Sequence, residues 1–287
     1  MIFTTAGKVR VTINKYVDDI LAGRGVLTTK VTPGASVLFD VMDAPKATGT
    51  EAKWFHTHVA KILYLSKRLK PECQQVDFLS TRVTGSDIDD LAELRRLLGC
   101  IRHTRTRGIV LRVDRTMIVK AFIDAAYKMH QDSGKSHTGC AIVLGESGPL
   151  FAKSTKQKIV TKSSTETKLV GLSDTASQAI RLLNLIIAQG YDLGPAVVVY
   201  QDNMSCMVLI RRGGPGSETS RHINIRHFWQ TEKVAQKQVV LENLGTVDVF
   251  VVLEHLGTED MFANILTKPV QGAQFERERL GLTNWAA

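Results

Sequence analysis

The stretch KSSTETKLVGLSDTASQAIRLLNLIIAQG, Lys162 to Gly190, decides how the chain is read. Within it Leu169, Leu172, Ala176, Ile180, Leu183 and Ile187 recur at spacings of three and four, which predicts one long helix with a single buried stripe. Ser163 and Glu166 fit the S-x-x-E capping box at its start, and Gly190 closes it. Strand-like runs stand on both sides. MIVKAFID, ending in Asp124, is followed by turn chemistry at His137-Thr138-Gly139 leading into CAIVLG. A turn at Gly145-Glu146-Ser147-Gly148 then leads into PLFAKS, and the three runs predict an antiparallel meander. Beyond the helix, AVVVYQD is apolar until Asp202, the pattern of a buried central strand. Strands, helix, strand and further helices predict a mixed α/β sheet. Gly213-Gly214-Pro215-Gly216 reads as the clear flexible loop.

Upstream of residue 114 the character changes. KVRVTI reads as a strand, a Thr32-Pro33-Gly34 connection follows, and EAKWFHTHVAKILYLSKRL reads as a helix broken at Pro71. A further helix from about Asp87 carries Arg95, Arg96, Arg102, Arg105 and Arg107 around Leu94, Leu97, Leu98 and Ile101. That face is either solvated or phosphate-tracking. NKYVDDILAG, Asn14 to Gly23, contains the Tyr16-Val17-Asp18-Asp19 tetrapeptide that many reverse transcriptases carry at their polymerase centre. There it would sit at a hairpin tip between apolar strands, and neither flank here is one. The stretch reads instead as a short helix with Asn14 as N-cap, Tyr16, Ile20 and Leu21 on one face, and Asp18 and Asp19 solvated in the first turn.

The 287 residues suffice for one or two domains with sizeable cores, and a 44% apolar, 23% charged composition is that of a soluble globular chain. No run has the length of a membrane span and no signal architecture opens the chain, so the expected setting is cytoplasmic or nuclear. A net charge of +9 suits a polyanionic partner. Cys73, Cys100, Cys140 and Cys206 form no CxxC pair, and the histidines lack metal-ligand spacing (His56 with His58, His222 with His227), so buried free thiols are expected and no structural metal.

Chemistry is carried by strand ends. In an open α/β sheet the C-terminal ends of strands line the ligand crevice, so Asp124, Asp202 and Glu166 in the first helical turn are expected to converge. Three anions in one cleft repel unless a divalent cation sits among them, which makes a candidate Mg²⁺ or Mn²⁺ site. Two such ions about 4 Å apart clamp a scissile phosphate. Each residue also has an ordinary reading: Glu166 as a helix cap, Asp124 as a strand-end turn residue, and Asp202-Asn203 as the cap of the next helix. Amide substitutions at the three carboxylates are expected to relieve repulsion and raise metal-free stability slightly. Lys153, Lys156, Lys158 and Lys162 are candidates for phosphate contact or for a solvated basic loop, and Asn203 for contact with a 2′-OH.

DAAYKMH, SHTGCAIVL, AKSTKQKIVTKSSTETKLVGLS, VYQDNMSCM, RHINIRHFW and MFANILTKPVQGAQFERERLGL occur in this order over more than half the chain. Together they resemble the ribonuclease H domain of a copia-type LTR retrotransposon polyprotein. The resemblance implies an RNase H-like mixed five-stranded sheet flanked by helices at 114–287, two Mg²⁺ ions with Mn²⁺ as their substitute, and cleavage of RNA in RNA·DNA hybrids. By position it implies Asp124, Glu166 and Asp202 as metal ligands. Residues 1–113, with HVAKILYLSKRLKPE and LRRLLGCIRHTRTRG, resemble the mainly helical end of the reverse transcriptase of the same polyproteins, without its palm. Such a chain is not expected to extend a primer, and in an intact element it would reside in a virus-like particle. Asn264 stands where the family usually has aspartate, which implies weaker metal binding, a gain of Mg²⁺-dependent cleavage on Asn264→Asp, or a decayed domain that binds nucleic acid without cutting. Asp260, a turn earlier, is a candidate substitute for the missing charge and also an ordinary helix N-terminus.

Overall fold

The computed structural model describes residues 2–4, 7–22, 28–40, 44–112, 116–194, 196–212 and 250–285. Gly23, the loop at 213–216, His222, His227 and the RHINIRHFW segment lie outside the described residues. Strands β1 (Ile2–Thr4) and β2 (Lys8–Val11) pair antiparallel across Gly7, whose φ of +65° is open to glycine at little cost. Helix α1 (Asn14–Leu21) contains the Tyr-Val-Asp-Asp tetrapeptide, as expected, but two details are corrected. The Val17 amide already bonds the Ile13 carbonyl at 3.1 Å, so Ile13 is the cap and Asn14 begins the helix. The aspartates therefore fall past the first turn, and Asp18 is not merely solvated: it takes both arms of Arg105, at 2.5 and 2.9 Å.

Helix α2 (Gly49–Ser66) starts at a Thr48–Glu51 capping box, α3 (Val76–Ser80) follows a single 3₁₀ turn at Pro71–Cys73, and α4 (Ile88–His103) starts at an Asp87–Asp90 box. Their periodic apolar residues meet in one core: Phe55, Val59, Ile62 and Leu65 against Leu91, Leu94, Leu98 and Ile101. Strand β3 (Ile109–Arg112) then returns to pair antiparallel with β2. Three of the arginines of α4 and beyond have partners inside the protein. Arg95 lies 5.7 Å from the Trp54 ring centre, Arg96 donates to Thr32 at 2.7 Å, and Arg105 holds Asp18.

The meander is β4 (Val119–His130), β5 (Lys135–Leu144) and β6 (Phe151–Lys156). Helix α5 (Ser164–Ala188) precedes β7 (Ala196–Gln201) and α6 (Met204–Arg212); β8 (Phe250–His255), a 3₁₀ segment Phe262–Leu266 and α7 (Gly272–Thr283) complete the described chain. The strand order is β6-β5-β4-β7-β8, with β4 antiparallel to β5 and parallel to β7. An antiparallel meander continued by two parallel strands reached over a helix is the RNase H-like five-stranded sheet. Three points differ from the sequence reading. His137-Thr138-Gly139 is not a turn but lies within β5, paired on both sides, and the chain reverses at 131–134 instead. Strand β4 does not end at Asp124 but runs on to His130, past a break in register after Ala126 where Lys128 takes φ +52°. The fifth strand, FVVLEH, was not singled out, although its apolar start is strand-like.

Alternation along the strands divides the core. Val119, Ala121 and Ile123 of β4, with Cys140 and Ile142 of β5, face Leu169, Leu172, Ile180 and Leu183 of α5. The opposite face is covered from the C-terminus: Ala141 meets Leu266, Phe275 and Leu282, and Phe122 lies against Phe262 with ring centres 4.1 Å apart. All four cysteines are buried in these interiors.

The helical half packs onto the sheet through a buried histidine pair. His130 Nε2 and His137 Nδ1 are 2.9 Å apart, His137 Nε2 lies 2.6 Å from Ser154 Oγ, and the Phe39 and Phe78 rings close over them. Burial pushes His130 down to about 4, with Lys156 adding to the effect, and His137 down to about 3, with His130 adding to it. Both rings are therefore neutral in the folded protein, whereas the unfolded chain protonates its histidines at about pH 6.5. Stability from this pair is complete above that value and is lost as the pH falls toward 4. Asp77, raised to about 6 by burial, opposes it over part of the range as one group against two. The expected result is that the ring signals of both histidines hold neutral shifts from about pH 8 to about pH 5 while unfolding midpoints fall. Titration of either ring at the ordinary value in the folded state would contradict it.

Candidate functional site

Strand β4 pairs with β7 only as far as Phe122 with Tyr200, and the two chains part just beyond. Asp202 lines an open cleft there of about 590 Å³, and Asp124 lies fully buried behind its lining. Ala125, Tyr127, Ser164, Lys168, Asn203, Thr258 and Lys268 also line it. The aspartates are brought together, as expected, but around a lysine. Lys168 Nζ donates to Asp124 Oδ1 and, at 2.6 Å, to Asp202 Oδ1, with the side chains 8%, 0% and 8% exposed. Thr267 donates to Asp124 Oδ2, Thr258 to Asp202 Oδ2 at 3.3 Å, and Lys268 Nζ stands 3.9 Å from Asp124.

Burial alone would raise the Asp124 pKa, but the charges of Lys168 and Lys268 and the hydrogen bonds from Lys168 and Thr267 bring it below the usual carboxylate value. Burial would likewise strip Lys168 of its proton, yet Asp124 and then Asp202 hold its ammonium above the ordinary lysine value. The centre is two carboxylates and two ammonium groups, with no net charge. The expectation that amide substitution would relieve repulsion is corrected by this arrangement, since the two aspartates share the Lys168 ammonium between them.

Glu166 is turned to the helix start. Ser163 accepts from the Glu166 amide at 3.1 Å, and Glu166 Oε2 accepts from the Lys162 amide at 2.7 Å, so it caps as its ordinary reading has it. Asn203 also caps: its Oδ1 accepts from the Cys206 amide at 2.8 Å. Asn264 is buried; it donates to the Thr258 carbonyl at 2.8 Å and accepts from Lys268 at 3.2 Å, with the Glu278 carboxyl nearby. Asp260 is exposed in the turn before it. Of the lysines, Lys156 reaches Asp132 at 3.3 Å and Lys153 lies near Asp77, while Lys158 and Lys162 are exposed. Lys162 stays beside the cleft, its carbonyl accepting from Tyr127 at 3.1 Å.

The donor set tests the fit of a divalent cation, and it fails. Every oxygen of Asp124 and Asp202 is engaged by Lys168, Thr267 or Thr258, Asn264 gives its carbonyl to Lys268, and Glu166 serves a cap. Among the described residues no group of three or more His, Cys, Asp and Glu side chains could hold a metal ion. Lys168 was missed in the sequence, where its signal was available. It lies four residues before Leu172, on the buried stripe of α5, where a lysine has no ordinary reason to be.

Two retrovirus-related Pol polyproteins of Arabidopsis thaliana, from transposons RE1 and RE2, are 26% and 27% identical to the chain over 274 and 270 residues, 94% and 91% of its length. The chain is a homologue of retrotransposon Pol polyproteins. It spans only 18% and 17% of the length of these curated relatives. No family model matches it. LC11-RNase H1 from compost overlays on 53% of this chain and 93% of its own, at 16% identity and TM-score 0.33. RNase H1 from Halobacterium salinarum overlays on 52% and 90%, at 14% identity and TM-score 0.31. The fold assignment rests on strand order and not on these overlays. No helix among the described residues is long and apolar enough to cross a membrane.

Asn264 is held by its amide hydrogens, which an aspartate lacks. Asn264→Asp would set a carboxylate against the Thr258 carbonyl and the raised-pKa carboxyl of Glu278. The expected outcome is a loss of about 1–3 kcal/mol in denaturant unfolding, the cost of orphaned buried polar groups, and no gain in Mg²⁺-dependent cleavage. A variant as stable as the parent and more active would restore the sequence expectation.

Proposed function

We propose that this cleft is the nucleic-acid face of an RNase H-like unit, residues 114–287, within a retrotransposon Pol polyprotein, preceded at 1–113 by the end of a reverse transcriptase, and that it grips RNA·DNA hybrid without cutting it efficiently. The observation that carries this is the placement of the cleft: it opens where the two central parallel strands part, the position at which such sheets take ligands, and its wall bears Lys168, Lys268 and Asn203. Exposed Lys158 and Lys162 extend the basic rim along which phosphates would track, and the chain's net charge of +9 supports the same partner. The unfit donor set supports gripping over cutting.

A second reading, metal-dependent cleavage of the RNA strand, is favoured by one observation: Asp124 and Asp202 converge on one point, Lys168 Nζ, at the cleft. Fluorescence anisotropy with labelled hybrid, duplex DNA and duplex RNA across a salt series in EDTA, followed by a cleavage assay in Mg²⁺ and in Mn²⁺, separates the two. Salt-sensitive hybrid binding without cleavage supports the proposal. Cleavage that disappears in Asp202→Asn would favour the second reading, and no binding to any duplex would remove both.

A further inference from the structure

We infer that the Lys168 ammonium is a tethered cation that stands in for a divalent ion between Asp124 and Asp202, so that this centre holds together and meets nucleic acid without metal. The position is that of a bridging cation: one nitrogen takes an oxygen from each carboxylate, at the point where two neighbouring strands deliver them. An ammonium is a compact point charge with three donors, suited to linking separate acceptors. It is also fixed. Lys168 is 6% exposed, and its stem leaves α5 from the same stripe as Leu172 and Ala179, so the covalent frame of the helix returns the charge to one place.

Charge completes the case. Lys268 supplies a second positive group near Asp124, and two aspartates facing two lysines leave no surplus to attract a divalent ion. For such an ion to enter, Lys168 would have to leave both carboxylates while still buried, the situation in which an uncompensated charge is most costly. Asn264 fits the same design: with an amide in place of a carboxylate, no third anion disturbs the balance.

The metal-free part of this inference stands on the acidic centre alone; the meeting with nucleic acid rests on the cleft reading above. The test is a titration of the full chain with Mn²⁺, following free Mn²⁺ by electron paramagnetic resonance and unfolding by thermal melts. The parent protein is expected to leave Mn²⁺ free and its melting point unmoved. Lys168→Ala should bind one Mn²⁺ per chain at least about tenfold more tightly, and Mn²⁺ should restore much of the melting point that the substitution removes. Lys168→Arg should behave as the parent. Lys168→Met, which keeps the stem packed, replaces Lys168→Ala should the latter not fold. Stoichiometric Mn²⁺ uptake by the parent that is abolished in Asp124→Asn would overturn the inference, as would folded Lys168 variants that gain no affinity; the first needs no Lys168 variant to fold. Hybrid binding by the parent in EDTA is scored separately. Its loss alongside the expected Mn²⁺ behaviour would sink the cleft reading and leave the tethered cation standing, and the reverse result would do the opposite.

Discussion

Asp124→Asn is expected to cost about 3 kcal/mol of folding stability, seen as a fall in melting temperature of roughly 6 °C or more. The residue is 0% exposed and answers two lysines and a threonine. Its amide would leave Lys168 inside the protein with Asp202 as its remaining carboxylate, the broken-pair case at its lower end because one partner survives. The sign with pH follows from the depressed Asp124 pKa. The contribution is present above the unfolded carboxylate value of about 3.9 and is lost as the pH falls through the lower folded value, so parent and variant should converge in strong acid. An unchanged or raised melting temperature at neutral pH would mean that the aspartates repel rather than anchor, and would revive the metal reading.

Gly139→Ala carries the second large effect. Gly139 pairs with Asp124 across β4 and β5, and on its outer side the Phe262–Leu266 turn comes down directly on the backbone. A Cβ there would lie 2.6 Å from Leu266 Cβ, 2.8 Å from Thr267 Cγ2 and 3.0 Å from the Ala263 carbonyl. None of these is the free end of a flexible chain. The turn must lift, at a cost of about 1–3 kcal/mol for an overpacked core. Lifting it draws Thr267 away from Asp124 and Asn264 away from Thr258, so the structural loss reaches the cleft. Hydrogen exchange should show amides of 262–268 opening faster in the variant while those of α5 away from the cleft stay protected. Equal protection in both regions would show that the turn has room to spare.

Local rules sufficed for most of the architecture because they act locally. The stripe on α5, the Ser163 cap, the turn at 145–148 and the apolar run of β7 each depend on a few neighbouring residues, and all were legible. Where partners come from far along the chain, reading failed. Asp18 looked solvated because Arg105 lies 87 positions away. Glu166 and the aspartates looked like one acidic group because strand order suggests proximity, whereas the direction of each carboxylate depends on which cation or amide captures it. Lys168 was visible as an oddity of pattern, a charge on a buried stripe, but what it answers could be known only once β4 and β7 were set side by side. The ending of β4 was misplaced for a related reason. An aspartate usually closes a strand, and here the ammonium of another element lets it remain buried within one.

Lys268 has a consequence for inheritance. The loop that carries it is moored to the helical half: Gln75 donates to the Lys268 carbonyl at 3.2 Å, Gln271 donates to the Gly34 carbonyl at 2.8 Å, and Thr32 donates to Gln271 at 2.9 Å. The partners in the first of these bonds stand 193 positions apart. Exchange of genetic segments between two elements, with a crossover near residue 113, would part these pairs and slacken the loop even if each half arrived intact. A recombinant keeps all three bonds only when Thr32 and Gln75 from one parent meet Gln271 from the other, since the carbonyls at 34 and 268 come with any residue.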